Sequence, residues 1–137
     1  MKNIKYDLII MGATGFTGKL VTEYLIKNYG ARNNNFTWAL AGRDLKKLEK
    51  LKLSFKKLDT LSMDIPVIVV DSLDSTSLDG MTSSCRLVLS TVGPYMKFGI
   101  PLVESCVKNK THYCDLTGEV PFIRQSIDSY HSEAQKN

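Results

Sequence analysis

Gly12-Ala13-Thr14-Gly15-Phe16-Thr17-Gly18 decides how this chain of 137 residues is read. The stretch follows directly on the apolar run Leu8-Ile9-Ile10-Met11. It precedes Leu20, Val21, Tyr24 and Leu25, which repeat with helical spacing until Gly30 supplies a stop. Strand, glycine turn and helix in that order give each glycine its own task. The first permits a tight turn, the second lets backbone approach a pyrophosphate, and the third lets helix and strand pack closely. The helix opening here aims free N–H groups and the positive end of its dipole at the turn. Gly12, Gly15 and Gly18, with Thr14, Phe16 and Thr17, are therefore the candidate phosphate-holding loop.

The same alternation recurs along the chain. Phe36 to Ala41 is a second apolar run, followed by a lysine-rich helix predicted from near Asp44. Val67 to Val70 and Leu87 to Val92 are the third and fourth runs, and Thr111 to Leu116 is a fifth, more polar one. A helix is predicted from near Pro101, carrying Leu102, Val103, Cys106 and Val107 inward. Another opens at Pro121, with Phe122, Ile123, Ile127 and Tyr130 on one side. Unbroken apolar runs mark strands buried on both faces, and strand–helix alternation implies a parallel sheet with right-handed crossovers. The predicted fold is α/β, a doubly wound parallel sheet of Rossmann type with five βα units, as one domain over residues 1–137.

The second strand ends in Ala41-Gly42-Arg43. At this place an acid holds a free ribose 2′-hydroxyl, whereas arginine holds a 2′-phosphate. Arg43, with Gly42 leaving room beside it, makes NADP(H) the expected cofactor and NAD(H) the lesser candidate. Asp44 reads as the cap of the helix that follows. Asp71, beside Ser72, either meets the adenine edge or starts a turn. Gly93 and Pro94, before Tyr95, lie across the switch point from the first strand; they border the nicotinamide side or form a plain turn. Asp115 and Glu119 put two carboxylates by the same crevice, for substrate binding or proton transfer, or else as a turn residue and a helix-start acid. Catalytic residues stay unassigned.

Two other chemistries fail on spacing. A Walker A loop needs glycine where Ala13 stands and Ser or Thr where Leu20 stands, so Gly18-Lys19 does not complete one. None of the six tyrosines has a lysine four residues on, so the acid–base pair of short-chain dehydrogenases is missing. No metal site is expected, because His112 and His131 lack ligand partners at useful spacing.

The formal net charge is +4, and Lys46, Lys47, Lys50, Lys52, Lys56 and Lys57 crowd one segment. Leu45, Leu48, Leu51, Phe55 and Leu58 interleave with them, which describes an amphipathic helix with a solvated outer face. Nucleic acid is therefore not an expected partner. Three cysteines without a C-x-x-C pair fit a reducing compartment. The polar stretch Met1 to Asp7 does not read as a signal peptide, so none is expected, and no apolar run approaches the roughly 20 residues that span a bilayer. The expected location is cytoplasmic. Membrane association of a longer protein through further segments stays open.

GATGFTG at Gly12 to Gly18, AGR at Ala41 to Arg43, VGPY at Val92 to Tyr95 and THYCDLTGE at Thr111 to Glu119 come in a telling order. From about Tyr6 to Glu133 the chain resembles the N-terminal portion of saccharopine dehydrogenase-like oxidoreductases. The resemblance implies a Rossmann cofactor domain joined to a substrate or dimerisation domain, and a small-molecule substrate for the full-length protein. Family members are much longer, so the expectation is a fragment that stops before a sixth strand. Its fifth strand would then be an unpaired edge, which points to a homodimer or looser self-association. Two functions remain open. One is the cofactor-binding domain of an NADP(H)-dependent oxidoreductase, with the fragment alone inactive; the other is an NADP(H)-binding regulatory or scaffold module that transfers no hydride.

Overall fold

The computed structural model describes residues 3–137; Met1 and Lys2, which begin the polar N-terminal stretch, lie outside the described residues. Strands β1 (Tyr6–Met11), β2 (Trp38–Gly42), β3 (Val67–Val69), β4 (Cys85–Ser90) and β5 (His112–Asp115) form one parallel sheet. Its order among the described residues is β3-β2-β1-β4-β5, so the direction of winding reverses between β1 and β4. Helices α1 (Phe16–Tyr29), α2 (Leu45–Ser54), α3 (Ser75–Thr82), α4 (Tyr95–Lys108) and α5 (Val120–Ala134) follow the strands in turn. This is the doubly wound arrangement the apolar runs predict.

Successive side chains of β1 enter opposite cores, as the strand period of two requires. Ile10 packs with Leu40 of β2, Leu25 and Ile26 of α1, and Leu48 and Leu51 of α2. Ile9 and Met11 pack on the other face with Val88, Leu78 and Met81 of α3, and Leu102 and Cys106 of α4. Ile9, Ile10 and Met11, the second half of β1, are closed to water, which makes them the fixed floor of the glycine turn. Helix α5 docks on α4 through Phe122, buried against Tyr95 and Val103.

Element boundaries differ from the sequence reading where the deciding partner is distant. Helix α4 starts at Tyr95, not near Pro101, which lies inside it. Its first N–H groups are held by the Glu119 carboxylate, 2.7 Å from Tyr95 N and 2.9 Å from Met96 N, so the helix can begin earlier than proline would set. Helix α3, implied by five βα units but not located in the sequence, is capped by Asp74, whose carboxylate accepts the Thr76 N–H. Strand β2 begins at Trp38 because Asn33 Oδ1 accepts the N–H groups of Asn35 and Phe36 and draws Phe36 into a turn. Lys52, placed with the solvated lysines by its pattern, is buried instead, with Nζ 3.2 Å from both carboxylate oxygens of Glu49.

Candidate dinucleotide-binding site

The C-terminal ends of β1 and β4 lie side by side where the winding reverses, the place at which open α/β sheets bind ligands. Gly12 leaves β1 with φ +83°, a conformation that penalises a Cβ. A Cβ there would also stand 2.6 Å from Val92 Cγ2 and 2.9 Å from Thr91 Oγ1. The Thr91 hydroxyl lies 3.1 Å from the carbonyl oxygens of both Met11 and Gly12, tying the end of β4 to the glycine turn. Sequence reading missed this brace; a polar residue closing an apolar strand was its one available signal.

Gly18 answers to packing alone. A Cβ on it would fall 2.1 Å from the Gly12 carbonyl oxygen and 2.7 Å from Ala13 Cα, so helix α1 could not sit where it does. Gly15 differs from both. Its N–H closes the turn onto Gly12 O at 3.1 Å, and a Cβ would meet only that oxygen, at 3.4 Å. Folding gives a weak reason for glycine at this position.

Gly15 is also the N-cap of α1, and among the described residues no side chain caps that helix. Helices α2 and α3 are capped by Asp44 and Asp74, and α4 by Glu119. The first turn of α1 therefore offers backbone N–H groups to the crevice, beside half-buried Thr14 and Thr17 and a Phe16 ring that is 84% exposed.

Arg43 follows β2 on the same rim of the sheet, exposed and, among the described residues, in no ion pair. Gly42 does not clear space for it: a Cβ there would turn inward and touch Leu48 at 3.6 Å. Asp71 lies exposed beyond β3, and its Oδ1 accepts the Leu73 N–H at 2.9 Å in a local turn. Its Oδ2 has no partner among the described residues. Gly93 and Pro94, joined by a cis peptide, are exposed in the loop between β4 and α4.

The two carboxylates near the crevice are engaged. Both oxygens of Glu119 cap α4, while Asp115 accepts the Tyr113 hydroxyl at 2.6 Å and the Thr117 N–H at 3.0 Å. Burial, then the bond to Asp115, pushes the Tyr113 hydroxyl far above the usual phenol range, so it stays a donor. The structure thus brings the glycine loop, Arg43, Asp71 and Gly93-Pro94 to one rim, and gives Asp115 and Glu119 structural work.

The sequence profile of the saccharopine dehydrogenase NADP-binding domain matches residues 8–137. The chain belongs to this family. Its cofactor is accordingly a nicotinamide dinucleotide. As a saccharopine dehydrogenase NADP-binding domain, the chain is 40% identical over 130 residues to the trans-acting enoyl reductase of Mycobacterium ulcerans and 39% identical to that of Mycobacterium leprae. Each match covers 95% of the chain and 29% of the relative, so the chain spans less than a third of the length of these proteins. The fold matches that of a saccharopine dehydrogenase (L-Glu forming) from Saccharomyces cerevisiae with a TM-score of 0.65 at 23% identity, covering 88% of this chain and 23% of that one. A nucleoside-diphosphate-sugar epimerase from Staphylococcus aureus matches at 0.63 and 18% identity, over 93% of this chain and 47% of the other. No helix among the described residues is long and apolar enough to cross a membrane.

Proposed function

We propose that the chain is the cofactor-binding domain of an NADP(H)-dependent oxidoreductase, with the GATGFTG loop holding the pyrophosphate. The observation that carries this reading is the uncapped N-terminus of α1 behind Gly15, where folding alone makes little demand for glycine. A phosphate seated there meets N–H donors, the helix dipole and the hydroxyls of Thr14 and Thr17, with Gly12 and Gly18 fixing the turn beneath. Arg43 takes the 2′-phosphate, a charge-assisted contact of about 1.5–3 kcal/mol, or roughly tenfold to a hundredfold in affinity. The free oxygen of Asp71 serves the adenosine side, and Gly93 and Pro94 border the nicotinamide ring.

When bound, the cofactor supplies the hydride; the residues of this chain supply position and electrostatics. The substrate is a small molecule held by other parts of a longer protein. The enoyl reductase names of the relatives support a conjugated carbon–carbon double bond as the hydride acceptor. Calorimetric titration of NADPH and NADH into wild type and Arg43→Ala tests the reading. Wild type should bind NADPH at least about tenfold more tightly than NADH, and Arg43→Ala should lose most of that margin. Equal affinities in wild type would contradict it.

A further inference from the structure

The lysine-rich helix is only partly a solvated face. Thr14, Lys19, Lys47 and Lys50 line one cleft between α1 and α2, of about 570 Å³. Thr14 belongs to the glycine loop, so the cleft opens onto the proposed cofactor site. Among the described residues, none of the three lysines is in an ion pair. The carboxylate in the cleft, Glu23, is already bound to Lys27 at 2.5 Å. Three ammonium groups sharing a concave wall repel one another, and an anion between them relieves that repulsion.

Lys47 shares a second feature with Lys46, and of the two only Lys47 lines the cleft. It lies in the first turn of α2, where its backbone N–H is bound by the Asp44 cap. A cation in a first turn opposes the helix dipole, and this turn holds no acidic residue. Helix stability therefore gives no reason for lysine here. Lys47 stands four positions after Arg43 in the sequence, with the Asp44 cap between them, and it lines the same cleft as Thr14.

We infer that Lys47 is a second 2′-phosphate ligand, facing Arg43 across the phosphate, with Lys19 and Lys50 raising the positive potential of the cleft. The inference rests on the reading that the glycine loop and Arg43 hold NADP(H). Arg43 supplies a planar donor fork, whereas Lys47 supplies a compact point charge from the helix side. Preference for the phosphorylated cofactor is then shared between two residues, and loss of either leaves a remainder.

The test titrates NADPH, NADH, adenosine 2′,5′-bisphosphate and AMP into wild type, Lys47→Ala, Lys46→Ala and Arg43→Ala/Lys47→Ala, with folding of each variant checked by urea denaturation. Lys46 is exposed in the same turn and does not line the cleft, so its variant reports the loss of one positive charge alone. Lys47→Ala should weaken NADPH and the bisphosphate about fivefold to tenfold and leave NADH and AMP unchanged, while Lys46→Ala moves none of them. The double variant should bind NADPH and NADH equally. Loss of NADPH and NADH together in Lys47→Ala, no loss at all, or an equal loss in Lys46→Ala would overturn the inference while leaving the Arg43 reading intact. A wild type that binds neither dinucleotide, or both alike, would overturn the reading and the inference with it.

Discussion

The Glu119 carboxylate accepts the backbone N–H of Tyr95 at 2.7 Å, across 24 residues of sequence. With the bond from Met96 at 2.9 Å, it caps α4 from the loop after β5 and pins that loop beside the switch point. Replacement by alanine should leave both N–H groups without this acceptor and cost about 1–2 kcal/mol of stability by urea denaturation. Glu119→Gln, which keeps one acceptor oxygen, should fall between. Stability unchanged in Glu119→Ala would show that the cap is idle.

The three loop glycines should separate cleanly under substitution. Gly18→Ala places a methyl 2.1 Å from the Gly12 carbonyl oxygen, and should cost about 3 kcal/mol or more or prevent folding. Gly15→Ala has only a 3.4 Å contact to absorb, and should retain stability to within about 1 kcal/mol. Dinucleotide affinity should nonetheless fall sharply in Gly15→Ala, because the methyl stands where the pyrophosphate approaches. Undiminished NADPH binding in a folded Gly15→Ala would count against the proposed phosphate seat.

Much of this architecture was legible in the chain because it is local. Leu8 to Met11, the glycine turn and the repeat through Leu25 fix strand, turn and helix within some twenty consecutive residues. The place of Arg43 on the rim was legible for the same reason, one residue past a buried run. What escaped is decided at a distance or by few residues. Helix α3 offers only Leu78 and Met81 to the core and contains Gly80, too little to register as a helical pattern. The start of α4 depends on Glu119, and the brace on the glycine turn depends on Thr91, 79 residues from Gly12. Lysines 47 and 50 are exposed as their pattern implies, but a pattern along one helix does not show the neighbouring helix that makes a cleft of that face.

Acid should unfold the chain partly through Asp79. A hydrogen bond from the Lys108 ammonium, followed by one from Ser105, holds its carboxyl below the ordinary carboxylate range and joins α3 to α4. A carboxyl that is more acidic when folded adds stability above its unfolded pKa, about 3.9, and loses it as pH falls through the lower folded value. The stability gap between wild type and Asp79→Asn, followed by urea denaturation, should therefore be full at pH 6 and shrink below about pH 4. Asp7, held low chiefly by the Thr37 N–H, will keep some acid sensitivity in the variant. A gap independent of pH would contradict this assignment.

The chain should also self-associate. Among the described strands β5 pairs on one side only, with β4, and it carries Tyr113 and Cys114 but no lysine. Ile123 and Ile127 on α5 are 40% and 48% exposed. An open edge beside exposed apolar side chains favours pairing with a second copy. Sedimentation over a concentration series should show mass rising above the monomer; a clean monomer at high concentration, with the β5 amides protected from exchange, would refute the expectation.

The central claim is that the GATGFTG loop and Arg43 hold NADP(H), and backbone amide shifts of the isotopically labelled chain during an NADPH titration test it most directly. The account predicts saturable shifts at Gly12, Gly15, Phe16, Thr17, Gly18 and Arg43, with the opposite end of the sheet around Asn33 and Thr37 unmoved. Saturable shifts that spare the loop, or no shifts at millimolar NADPH, would contradict it.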